Sequence, residues 1–219
     1  MGRIRIDGVA LACLTALGLA SGAVQAAVPA VTEVDFQGQA ASAEARRVAQ
    51  WAIDTRNAQG KPYAVVDKKD ARLFVFTADG LLVGAAPALL GSTKGDLSAP
   101  GLGQREPSAL LPHERTTPAG RFESQPGRNH QAEAVVWVAY DEAIAIHRLR
   151  PAPANERRPQ RLASSTPDDN RITLGCIVVS EAFYDEVVAP TLGRRRGVVY
   201  VLPDAPGDAL RALSRADAL

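Results

Sequence analysis

From Tyr63 onward the apolar residues fall in short runs, each closed by Asp, Lys, Gly or Pro, and none has the length or period of an amphipathic helix. Tyr63 to Val66, Arg72 to Thr77 and Leu81 to Ala85 are separated only by tight polar turns, which predicts an antiparallel meander. Ala134 to Tyr140 and Ala143 to His147 form a second pair, a strand resumes at Arg171, and Gly197 to Leu202 reads as the last. Residues 91–120, rich in Gly, Pro and Ser, and the Arg- and Pro-rich residues 148–170 carry no periodicity and predict long excursions over the sheet. Helical spacing is confined to Ala41–Ala58, ended by Gly60 and Pro62, and to a short helix that Ser180 can cap and Pro190 stops. The expectation is a mainly β domain over residues 62–203 with short helices, preceded by an extension with an N-terminal helix (27–61) and followed by a tail (204–219).

The first residues read as an address rather than as part of this fold. Arg3 and Arg5 precede an apolar run from Val9 to Ala23, and Val24-Gln25-Ala26 supplies the small residues that a signal peptidase accepts, so cleavage is expected after Ala26. The run is short for a membrane span, and no stable membrane insertion is expected after processing. Acylation of Cys13 is the weaker reading, because Ala10 stands where an aliphatic residue is usual. Removing residues 1–26 takes Arg3, Arg5 and Asp7 with it and leaves 23 basic and 23 acidic residues, from 25 and 24 in the full 219-residue chain. A neutral chain offers no field for a nucleic-acid backbone, so no nucleic-acid partner is expected.

The chain has two cysteines, Cys13 and Cys176, too few for a disulfide scaffold or a four-cysteine zinc site. Cleavage leaves Cys176 as the sole thiol of a secreted protein, in the run Arg171-Ile172-Thr173-Leu174-Gly175-Cys176-Ile177-Val178. A glycine directly before a cysteine lets the backbone turn sharply and bring amide N–H groups toward whatever the sulfur attacks. A thiol nucleophile needs a base, and of His113, His130 and His147 only His147 ends an apolar strand; the other two sit in polar loops. On residue type alone Cys176 also fits an inert core position and His147 a structural strand end.

Gly95-Asp96, Pro100-Gly101, Thr117-Pro118-Ala119-Gly120-Arg121-Phe122, the strand ending at His147, the Gly175-Cys176 pair and the closing Gly197-Val198-Val199-Tyr200-Val201-Leu202-Pro203 occur in that order. In this the chain resembles L,D-transpeptidase catalytic domains of the YkuD type over roughly residues 62–203. The resemblance implies a β-sandwich of mixed sheets, a monomer in the periplasm, and a cysteine acyl-enzyme formed on tetrapeptide stems of peptidoglycan without metal or organic cofactor. Carried over residue by residue, Cys176 would be the nucleophile, His147 the base, and the backbone around Leu174, Gly175 and Cys176 the oxyanion hole; Arg148 and Arg171, with Arg150, lie close enough in sequence to bind a substrate carboxylate. Release of the acyl group to a stem amine, a lipoprotein lysine or water stays open. The chain departs from the family's pattern at Leu174, where many members have His, and at Val178, where Asn or Arg is usual. The alternative is therefore a peptidoglycan-binding module of the same fold without catalysis.

Overall fold

A computed structural model describes residues 1–2 and 33–216, so the expected leader, its cleavage after Ala26 and Cys13 lie outside the described residues apart from Met1 and Gly2. Residues 33–216 fall within one unit, Val31–Leu219, distinct from Met1–Ala30. Helix α1 spans Ala43–Asp54. The Ser42 hydroxyl accepts the Ala45 N–H at 3.0 Å and donates to Asp67 Oδ2 at 2.5 Å, so the cap, an interaction of about 1 kcal/mol, also ties the helix to the first strand. Its buried stripe is built of small residues, Ala45, Val48, Ala49 and Ala52, which let it lie close on the sheet.

Strands β1 (Tyr63–Asp67), β2 (Arg72–Phe76) and β3 (Leu82–Pro87) form the expected meander. After a two-residue β4 (Leu90–Gly91) come the excursion and then β5 (Gly120–Arg128), β6 (Ala134–Ala139) and β7 (Ile144–Arg148). A short α2 (Arg158–Leu162) lies in the second excursion. Next are β8 (Arg171–Thr173), β9 (Ile177–Val179), α3 (Glu181–Phe183), α4 (Ala189–Thr191), β10 (Gly197–Val201) and a terminal α5 (Ala209–Ala216). The main strand order is β3-β2-β1-β10-β5-β6-β7-β9, with β1–β10 and β7–β9 parallel, and β4 and β8 make a separate parallel pair.

Three features differ from the expectations. No apolar run announces β5, yet it joins the two halves of the fold: Gly120 to Ser124 pair with β10, and Gln125 to Arg128 pair with β6. The change of partner turns the ladder into two facing layers. Ala64, Val66 and Leu73 from one layer meet Val136, Ile146 and Ile177 from the other in a shared core, which makes the fold a mixed-sheet β-sandwich. The strand expected from Arg171 is broken into β8 and β9, in different sheets, by a turn at Leu174–Cys176. Pro190 does not stop the helix that Ser180 caps. The chain passes from α3 through a π-helical turn, Tyr184–Val188, into α4, and such a widened turn accommodates a residue that has no N–H to donate.

The outer face of the meander and β10 buries Tyr63, Val65, Phe74, Phe76 and Tyr200 under α1 and α5. Burial on both faces explains why β1, β2 and β10 read as nearly continuous apolar runs. Among the described residues no helix is long and apolar enough to cross a membrane.

Candidate active site

Strand alternation decides which side chains meet. Ile146 lies opposite Ile177 and His147 opposite Val178 in the parallel β7–β9 pair. Ile144, Ile146, Ile177 and Val179 point into the shared core. Their neighbours His147, Val178 and Cys176 therefore turn to the other face, where Val178 and Cys176 pack beside Leu89 and Leu162. Cys176 stands in the turn just before β9, two residues ahead of Val178, the partner of His147. Cys176 and His147 line one cavity of about 440 Å³, together with Trp137, Glu142, Arg150 and Leu174.

His147 is 7% exposed, and its Nδ1 lies 2.8 Å from the Arg148 carbonyl oxygen. A carbonyl can only accept, so in the neutral ring Nδ1 carries the hydrogen and Nε2 keeps its lone pair. Burial, reinforced by the positive charge of Arg150 and opposed by that carbonyl and by Glu133, pulls the imidazole pKa down to about 4. At neutral pH the ring is an unprotonated base.

Cys176 is half-buried, and its thiol donates to the Ala143 carbonyl at 3.5 Å. Burial pushes the thiol pKa up, against the opposing pull of the Ala145 N–H and of Arg150. At rest the cavity thus holds a neutral thiol and a neutral imidazole. Ala143, which faces the sulfur, is itself held at φ +55, a left-handed conformation that a non-glycine residue adopts only under constraint.

The turn that presents the sulfur is built from glycine and two buried threonines. Gly175 has φ +137, and a Cβ there would stand 2.6 Å from Ile144 Cδ1 and 2.8 Å from the Thr116 carbonyl oxygen, so only glycine fits. The Thr173 hydroxyl donates to the Cys176 carbonyl at 2.7 Å and accepts the Gly175 N–H at 3.1 Å. From the other side the Thr117 hydroxyl donates to the Gly175 carbonyl and accepts the Gly91 N–H, each at 2.9 Å.

The expected site residues are only partly brought together. His147, Cys176 and Leu174 share the cavity, with Leu174 as a partly exposed apolar wall. Gly175 shapes the turn, but its N–H, expected to face the reacting group, is taken by Thr173. Arg148 does not line the cavity: alternation turns it away from His147, onto the ring of Tyr184 at 4.5 Å and into ion pairs with Asp185 and Glu133. Arg171 is drawn instead to Asp204, at 2.6 Å, and to the Lys68 carbonyl, at 2.7 Å. The guanidinium groups in the cavity wall are those of Arg105, Arg150 and Arg158. Arg105 is bonded to Glu114 at 2.6 Å and Arg158 to Glu156 at 2.5 Å, while Arg150 has its Nε 2.6 Å from Glu133 without an aligned hydrogen bond. His113 is exposed on the excursion and His130 is exposed at the cavity's edge. Among the described residues no three His, Cys, Asp or Glu side chains come together to hold a metal ion.

No protein-family model matches the chain, and no curated protein matches it. Among solved structures, an L,D-transpeptidase from Xylanimonas cellulosilytica DSM 15894 is 16% identical over 69% of this chain and 68% of that one, with a TM-score of 0.38. That likeness is too distant to bear on function.

Proposed function

We propose that this protein is a secreted cysteine acyltransferase of the L,D-transpeptidase kind, acting in the periplasm on tetrapeptide stems of peptidoglycan. The observation that carries the proposal is that Cys176 lines one cavity with a His147 ring whose Nδ1 is fixed on a backbone carbonyl. The ordered motifs from Gly95 to Pro203 supply the substrate class.

In the proposed reaction the thiol proton passes to His147 Nε2 as the sulfur adds to the carbonyl carbon of the bond between the diamino acid and the terminal D-alanine. The carbonyl oxygen becomes an oxyanion, for which the Cys176 N–H is the proposed donor. The imidazolium then returns its proton to the D-alanine nitrogen, the C–N bond breaks, and a thioester remains on Cys176. An amine or water, deprotonated by His147, displaces the thiol. Because burial penalises both the thiolate and the imidazolium, proton transfer accompanies attack rather than preceding it. Arg150, beside both reacting groups, suits a substrate carboxylate.

The test is mass spectrometry of products from tetrapeptide muropeptides, with and without an added amine. Loss of D-alanine with cross-linked or trimmed stems supports the proposal, and unchanged muropeptides refute it. The competing reading, a binding module without turnover, draws on Val178, which is buried in an apolar cluster and leaves no polar group at its position. Its signature is sedimentation with cell-wall sacculi that is indifferent to Cys176→Ala, together with no product.

A further inference from the structure

Thr117 has no exposed surface, and its hydrogen bonds run in two directions. Its hydroxyl holds the Gly175 carbonyl, as described above. Its own carbonyl accepts from Lys68 Nζ at 2.8 Å. The Lys68 ammonium is fully buried; it also donates to the Gly95 carbonyl at 2.6 Å and to Asp96 at 2.8 Å, and lies 3.2 Å from Asp204. Asp204 accepts Arg171, the first residue of β8, so both approaches to the cysteine turn are anchored on one charged cluster.

The peptide unit between Gly175 and Cys176 is planar and trans, so its C=O and N–H point in opposite directions. Whatever holds the Gly175 carbonyl therefore also aims the Cys176 N–H. Gly175 cannot contribute its own N–H, which Thr173 already holds. We infer that Thr117, clamped through its carbonyl by Lys68, is a positioning residue that aims the Cys176 amide at the oxyanion formed when the sulfur adds to an acyl carbonyl. The inference rests on the cysteine acyl transfer proposed above and names the residue that orients its oxyanion donor.

Two reagents separate this role from a merely structural one. With p-nitrophenyl acetate the Cys176 sulfur bonds to the acyl carbon, the carbonyl oxygen turns negative, and the C–O bond breaks to release p-nitrophenolate, the thiol proton passing to His147. With iodoacetamide the sulfur displaces iodide from a saturated carbon and no oxyanion forms. Thr117→Val is expected to slow acylation of Cys176 about 100-fold while alkylation stays within about twofold of wild type, and Thr117→Ser to restore acylation to within about threefold. The inference is overturned if acylation and alkylation fall together in Thr117→Val, or if neither falls. A wild-type thiol that takes up iodoacetamide but not the ester overturns both this inference and the proposed reaction. Wild type that is acylated by the ester yet inert toward tetrapeptide stems, with the Thr117→Val pattern as expected, defeats the proposed substrate and supports the positioning role.

Discussion

At His147 desolvation and hydrogen bonding act against each other, and desolvation dominates: the ring is buried, Arg150 adds an unfavourable positive charge, and one carbonyl does not compensate. The acid limb of kcat/KM is therefore expected near pH 4. A limb near 6.5, the pKa of an unperturbed imidazole, would show that the ring is solvated during the proposed reaction. Stability carries the same signature. Below about pH 6.5 the unfolded imidazole takes up a proton that the native ring refuses until about pH 4, so stability falls as pH drops through that window. The loss amounts to about 3 kcal/mol at its lower end. His147→Gln should flatten this slope in urea titrations at pH 7 and pH 4.5 and lower acylation of Cys176 by about 10² to 10⁴-fold. Cys176 and His147 could be singled out in the sequence because their chemistry is written in residue type. Arg148 lies away from the cavity, on Tyr184, Glu133 and Asp185, because proximity along the chain says nothing about which face of a strand a side chain takes. Thr117 acts through contacts made across the fold, with Gly91 and Gly175, so its place in the Thr-Pro-Ala-Gly run does not disclose its role, whereas Thr173 bonds within its own turn, to Gly175 and Cys176.

The element that positions Cys176 is the turn between β8 and β9, where the chain leaves one sheet and enters another. Gly175→Ala forces a Cβ into Ile144 and the Thr116 carbonyl at a φ of +137. It is expected to cost about 2 kcal/mol or more and to slow thiol acylation, measured by denaturant unfolding and by ester uptake. A variant as stable and as reactive as wild type would mean that the turn tolerates another backbone path. Strands with two buried faces, β1, β2 and β10, were legible because their apolar runs are nearly unbroken. β5 was not, since Gly-Arg-Phe-Glu-Ser-Gln-Pro-Gly-Arg holds one large apolar residue and a proline, and its extended form is imposed by β10 on one half and β6 on the other. The same holds for the helix that runs past Pro190, where a local rule gives way to a π-turn packed through Tyr184 and Val188 into the shared core.

Across the whole molecule, the Lys68–Asp96–Asp204–Arg171 cluster joins the end of β1, the first excursion, the start of β8 and the segment after β10. Burial opposes ionisation of both aspartates. Their bonds to Lys68, Arg171 and backbone amides nevertheless hold the two carboxyls below their usual range. Lys68→Met would leave these carboxylates without their buried cation and is expected to cost about 3–5 kcal/mol, read from chemical unfolding at pH 7. A loss under about 1 kcal/mol would show that Arg171 alone sustains the cluster. The proposed reaction requires this scaffold to present one thiol to an acyl group. Its most direct test is the intact mass of the protein, with the adduct mapped by peptide, after brief exposure to a tetrapeptide stem. A stem acyl group is expected on Cys176, with one D-alanine released per adduct, and no adduct in Cys176→Ala. An unmodified Cys176 while the stem remains intact would contradict the proposed reaction.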